Sequence, residues 1–139
     1  MASGELLVVG TDEEDELVGD IVSIHRNAFD EMWRKPSIGC VEALLSVGNK
    51  LYVGCCSLEG ASVFALDAAT GEQLFSTRLY SYLGPIQDLL HEGGLLFVCL
   101  RFSFRHANGF ICGIEAKTGK MLWGMELANL SGGFKVCAT

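Results

Sequence analysis

Residues 63–79 read VFALDAATGEQLFSTRL, an apolar run, a polar turn and a second apolar run. The segment Asp67-Ala68-Ala69-Thr70-Gly71-Glu72 has the chemistry of a hairpin loop. An aspartate carboxylate accepts from backbone donors two residues on, and a glycine takes the left-handed conformation that closes a bulged turn. The run that follows carries an aromatic residue, Phe75. The same pattern returns at residues 111–127, ICGIEAKTGKMLWGMEL, and more faintly at residues 21–35, IVSIHRNAFDEMWRK. The chain is therefore a repeat of β-hairpins.

The three hairpins can be laid over one another without gaps. His25, Asp67 and Glu115 share one position, and Trp33, Phe75 and Trp123 share another. The step is 42 residues and then 48. The apolar run before each hairpin repeats as well: ELLVVG from Glu5, KLYVGC from Lys50 and LLFVCL from Leu95. Periods of about 40 to 50 residues with four strands per unit mark β-propeller blades. Strands are predicted at residues 6–9, 21–25, 31–34, 40–47, 51–56, 63–67, 74–79, 85–90, 95–101, 110–115 and 121–127, with a last one at 134–138. The run VEALLSV, residues 41–47, would also suit a helical turn. Pro36 and Gly39 break the pattern between the first unit and the second.

The motif A-x-D-x-x-T-G-x-x-x-W resembles the blade signature of the PQQ-repeat, or quinoprotein dehydrogenase-like, β-propellers. The second copy supplies Ala65, Asp67, Thr70, Gly71 and Phe75, and the third supplies Gly113, Glu115, Thr118, Gly119 and Trp123. The first copy departs furthest, with Ser23, His25, Ala28, Phe29 and Trp33. The resemblance spans nearly the whole chain and implies an all-β fold, a partial propeller of about three four-stranded antiparallel blades. The 139 residues would form one domain: a degenerate partial blade at 1–35, blades at 36–80 and 81–129, and a closing strand at 130–139.

The resemblance also implies a packing scheme. Each aromatic is expected between neighbouring blades, against the small residue (Ser23, Ala65 or Gly113) of the adjacent motif. Phe29 stands where a turn glycine belongs, so the first hairpin is expected to turn differently. Phe75 lacks the indole N–H, so a hydrogen bond made there by tryptophan would be lost. Complete propellers have about four to eight blades. Strand exchange between copies, or a partner chain, would then complete this one.

Composition narrows the function classes. The chain is 50% hydrophobic and 19% charged, with 17 glycines, 2 prolines and a mean hydropathy of +0.34. The charged share is below the roughly 25% usual in soluble domains, which suits surface covered by another protein or copy. A net charge of −7 argues against duplex nucleic acid or an anionic membrane as the main partner. The acidic excess is local, at Asp12, Glu13, Glu14, Asp15 and Glu16, and its spacing does not match a calcium loop. No apolar run approaches the roughly 20 residues of a membrane-spanning helix. The first residues lack a secretory pattern, so a cytoplasmic or other reducing compartment is expected. Six cysteines lack CxxC spacing, and Cys55, Cys56, Cys99 and Cys112 sit in apolar runs, where reduced, buried thiols are expected.

No catalytic, cofactor-binding or metal-binding residue is predicted. A quinone site calls for basic and amide groups with a carboxylate-held calcium, and nothing beyond the blade motif points to one. His25, His91 and His106 fall in different units, and neither a G-x-S-x-G element nor a P-loop occurs. Arg101, Phe102, Phe104 and Arg105 alternate basic and aromatic residues and form a candidate partner contact. The expected function is a noncatalytic interaction or scaffold subunit, not an enzyme, working with protein partners or as a homo-oligomer. The alternatives are a quinoprotein-like dehydrogenase fragment and an RNA- or small-ligand-binding module.

Overall fold

The computed structural model describes residues 6–10, 20–25, 30–36, 39–57, 60–79, 86–101 and 109–127. Among the described residues eleven strands run in chain order. They are β1 (Leu6–Gly10), β2 (Ile21–His25), β3 (Glu31–Lys35), β4 (Cys40–Val47), β5 (Lys50–Ser57) and β6 (Gly60–Asp67), then β7 (Gln73–Leu79), β8 (Ile86–Glu92), β9 (Leu95–Arg101), β10 (Gly109–Glu115) and β11 (Met121–Leu127).

The strands form three antiparallel meanders: β1-β2-β3, β4-β5-β6-β7 and β8-β9-β10-β11. Among the described residues the first unit has one strand fewer than the others. These are blades stacked side by side in an arc, with the leading strands β1, β4 and β8 next to one another. Residues 41–47 are strand, not helix. Ala43, Leu45 and Val47 pack onto the core while Leu44 and Ser46 point outward, a period of two that a helix cannot supply.

The middle strands of the second blade are buried on both faces and those of the third on the face turned to the second, which explains the dense apolar runs at residues 51–55 and 96–100. On one face of the second blade, Val41, Leu51, Val53, Phe64 and Leu66 meet Ile21 and Trp33 of the first. On its other face, Tyr52, Ala61, Val63, Ala65, Phe75 and Leu79 meet Leu96, Val98, Leu100, Phe110, Cys112 and Ile114 of the third. The middle blade is thus enclosed by two apolar seams.

Residues 12–16 and 134–138 lie outside the described residues, as do Phe29, Phe102, Phe104 and Arg105. Among the described residues no helix is long and apolar enough to cross a membrane.

Candidate functional site

The outer hairpins build the seams. In the second, Asp67 Oδ1 accepts from Ala69 N (2.9 Å) and Thr70 N (3.0 Å), and Gly71 N donates to Asp67 O (2.8 Å). In the third, Glu115 takes a different route: Thr118 Oγ1 donates to Glu115 Oε2 (2.6 Å), while Gly119 N donates to Glu115 O (2.8 Å). Gly71 and Gly119 have φ of 75° and 80°, a region costly for a residue with a side chain. The first hairpin closes with the same backbone bond as the others. His25 N donates to Asp30 O, as Asp67 N does to Glu72 O and Glu115 N to Lys120 O, each at 2.8 Å.

A β-bulge recurs one residue after each small motif position, at Ser23/Ile24, Ala65/Leu66 and Gly113/Ile114. The bulge fixes the register so that the small residue faces the aromatic of its own blade: Ser23 opposite Trp33, Ala65 opposite Phe75, Gly113 opposite Trp123. This corrects the expectation that the small residue serves a neighbouring blade. At Gly113 a β carbon would fall 2.5 Å from the Trp123 ring, so the small side chain makes room within one sheet.

The neighbouring blade supplies its turn glycine instead. A β carbon on Gly71 would fall 2.5 Å from the Trp33 ring, and one on Gly119 would fall 2.4 Å from the Phe75 ring. The Trp33 and Phe75 rings therefore each lie opposite a small residue of their own blade and against the turn glycine of the next. Glycine is required there twice over, by its backbone conformation and by the ring lying on it.

A hydrogen bond completes each seam. Trp33 Nε1 donates to Ala68 O of the second blade at 3.0 Å. The equivalent acceptor in the third blade is Ala116 O, and Phe75 has no N–H to reach it. Tyr52, on the strand beside, donates its hydroxyl to Ala116 O at 3.3 Å. The bond expected to be lost at Phe75 is thus made by another side chain. Tyr52 packs near Phe75 (centroids 6.3 Å apart) and stacks with His91 (6.1 Å, 17° between planes). Thr77 Oγ1 adds a bond to Gly119 O, and Glu42 Oε2 accepts from Ile86 N, joining the leading strands of the two blades.

A recess of about 370 Å³ opens at this second seam, lined by Asn49, Lys50, Tyr52, His91, Ala116 and Lys117 among others. Burial and nearby thiols or carboxylates push the Cys55, Cys99 and Cys112 thiols up to about 12. Such thiols are poor nucleophiles and poor ligands. Among the described residues no group of three His, Cys, Asp or Glu side chains could hold a metal ion.

Tyr52, Ala68, Ala116 and Thr77 were not singled out by motif reading. The repeat alignment carries a signal for one of them, since Tyr52 in KLYVGC falls opposite Phe97 in LLFVCL. Arg101 ends β9, and its neighbours in the candidate contact lie outside the described residues.

No protein-family model and no curated protein sequence matches this chain. Solved structures do. A europium-containing methanol dehydrogenase matches with a TM-score of 0.70 at 15% identity, over 90% of this chain and 23% of that one. The quinohemoprotein alcohol dehydrogenase ADHIIG from Pseudomonas putida HK5 matches with a TM-score of 0.61 at 16% identity, over 87% of this chain and 20% of that one. The fold is that of a quinoprotein-like propeller. The chain spans less than a quarter of the length of either dehydrogenase. The expectation of a non-enzyme is overturned at the level of fold, because the structures this arc resembles are alcohol dehydrogenases.

Proposed function

We propose that this chain forms three blades of a quinoprotein-like dehydrogenase propeller of the PQQ-repeat type, and that its part in the reaction is to wall a site completed by further blades. The likeness to a methanol dehydrogenase over 90% of the chain supports this reading most. The repeated seam chemistry, a ring on a turn glycine and a donor on an alanine carbonyl, supports the repeat type.

The described residues do not make up a quinone and metal site by themselves. They gather no metal-holding cluster, and the lysines Lys50 and Lys117, the imidazole of His91 and the amide of Asn49 line a recess at a blade seam. No chemical step is therefore assigned to a residue of this chain. The remaining donors would come from blades outside the three described.

The test is thermal unfolding and dye-linked alcohol oxidation, measured with pyrroloquinoline quinone and either Ca²⁺ or a lanthanide. A rise in melting temperature that needs both quinone and metal supports the proposal. Electron transfer from methanol or a longer primary alcohol to the dye would extend it to the reaction. No shift with any metal, in the chain alone or in the complex isolated with it, overturns it.

A further inference from the structure

The recess at the second seam departs from the rest of the chain in its charge. The whole protein has 17 acidic residues against 10 lysines and arginines. Among the described residues two lysines line this recess and no carboxylate does. Lys50 opens β5 on the second blade and Lys117 sits in the outer turn of the third, so they reach it from the two sides of the seam. Among the described residues neither lysine has an ion-pair partner. Asp67 lies opposite Lys50 across the sheet, but its Oδ1 accepts from Ala69 N and Thr70 N of its own loop. Glu115 likewise accepts from Thr118 within its own turn.

The acceptors around the recess are engaged inside the protein. Asn49 O accepts from Ala68 N (2.8 Å), Gly94 O from Ala116 N (3.0 Å) and Ala116 O from the Tyr52 hydroxyl. His91 stacks on Tyr52, which holds its imidazole at the wall of the recess. The Asn49 side-chain amide adds N–H donors. Two ammonium groups, an imidazole and an amide thus share one opening that holds no carboxylate for them. A ligand that matches them brings oxygen acceptors and negative charge. Lysine binds phosphate as a point charge. The volume of about 370 Å³ falls at the small end of the roughly 300–1,000 Å³ range of small-molecule sites.

We propose that this recess binds a phosphate group, free or at the end of a small phosphomonoester, held between Lys50 and Lys117 across the seam. The His91 imidazole and the Asn49 amide complete the donor set. Bound there, the anion ties a turn of the second blade to a turn of the third, so binding stabilises the seam. This inference rests on the contact between two blades and not on the dehydrogenase reading, so the two fail independently.

The experiment titrates inorganic phosphate, and separately glycerol phosphate, into the full chain at fixed pH and fixed ionic strength, without quinone or metal. The readouts are the imidazole proton resonances and the melting temperature. Saturable shifts of His91 at low millimolar anion are expected, with His25 unmoved and a rise in melting temperature. Lys50→Gln and Lys117→Gln should each weaken binding several-fold, and the double variant should abolish it. Lys120→Gln, in the same turn as Lys117 but outside the recess, should leave it unchanged. Melting without phosphate checks that each variant is folded. Tighter binding of glycerol phosphate assigns the site to a phosphomonoester, and equal or tighter binding of inorganic phosphate assigns it to the free ion; both support the proposal. No saturable shift of His91 with either anion overturns it. So does full binding by the double variant, or a loss in Lys120→Gln equal to that in Lys117→Gln. Acetate binding as tightly as phosphate would mean an unselective anion surface and overturn it as well.

Discussion

The second and third blades carry the same outer hairpin, and their aromatics live in different surroundings. Phe75 lies against Gly119 of the next blade, beside a Tyr52 that is almost wholly buried. Trp123 has the same register and the same small partner, and it stands 39% exposed. The larger ring is the more exposed one. Burial here is set by the presence of a following blade, because a blade covers only one face of its neighbour. The motif prepares each ring for a seam, and the seam forms only where a glycine turn arrives.

The sharpest way to break that comparison is at the glycines. Gly119→Val places β-branched bulk on the Phe75 ring and beside Thr77, at φ 80°. It should cost about 3 kcal/mol or more, from strain and overpacking together. Gly94→Ala has a similar φ of 77° and nothing within 4 Å of the added carbon, so it should cost only about 1 kcal/mol. Equal costs in urea unfolding would mean that the ring contact carries nothing. Next come the rings themselves. Phe75→Ala should cost about 3 kcal/mol, and Trp123→Ala under about 1 kcal/mol in the same chain. A Phe75→Ala cost below about 1 kcal/mol would remove the basis for the second seam.

Smaller effects sharpen the same picture. Tyr52→Phe removes the donor to Ala116 O and should cost about 1 kcal/mol in chemical denaturation. Cys55 and Cys112 face the preceding blade in the two seams, with pKa near 12 against an ordinary value near 9. The folded state holds these protons more tightly than the unfolded state. Stability should therefore be constant below pH 9 and fall as pH rises from 9 toward 12. Both thiols should resist a disulfide reagent at pH 8 until the chain unfolds, and rapid native labelling would mean open seams. The smallest effect is a gain. Ser23 Oγ is buried with no hydrogen-bond partner among the described residues. Ser23→Ala, which copies Ala65, should raise stability by roughly 0.5–1 kcal/mol in the same assay.

Most of the strand order was legible because turns and strands are local. Asp67 and Gly71 close a hairpin through bonds within six residues, and the alternation of residues 40–47 distinguishes strand from helix once the core is known. The function of the small motif residue was misread because spacing alone does not say which sheet a ring lies on. That depends on the bulges at residues 23, 65 and 113, which shift the register by one residue. Tyr52 was missed because its partner, Ala116, lies 64 residues away in a different blade. The blade motif is structural and carries no reacting group, so the sequence offers the dehydrogenase likeness only as an alternative.

The sequence by itself determined a repeating hairpin unit, its length, its turn glycines and the degenerate first copy. Those follow from dihedral preference and from the period-two pattern, which act over a few residues. Only the tertiary structure decided which glycine meets which ring, that a tyrosine replaces an indole as the seam donor, and that the Trp123 face is open. Those are contacts between sheets, and they exist only when one blade is laid against the next.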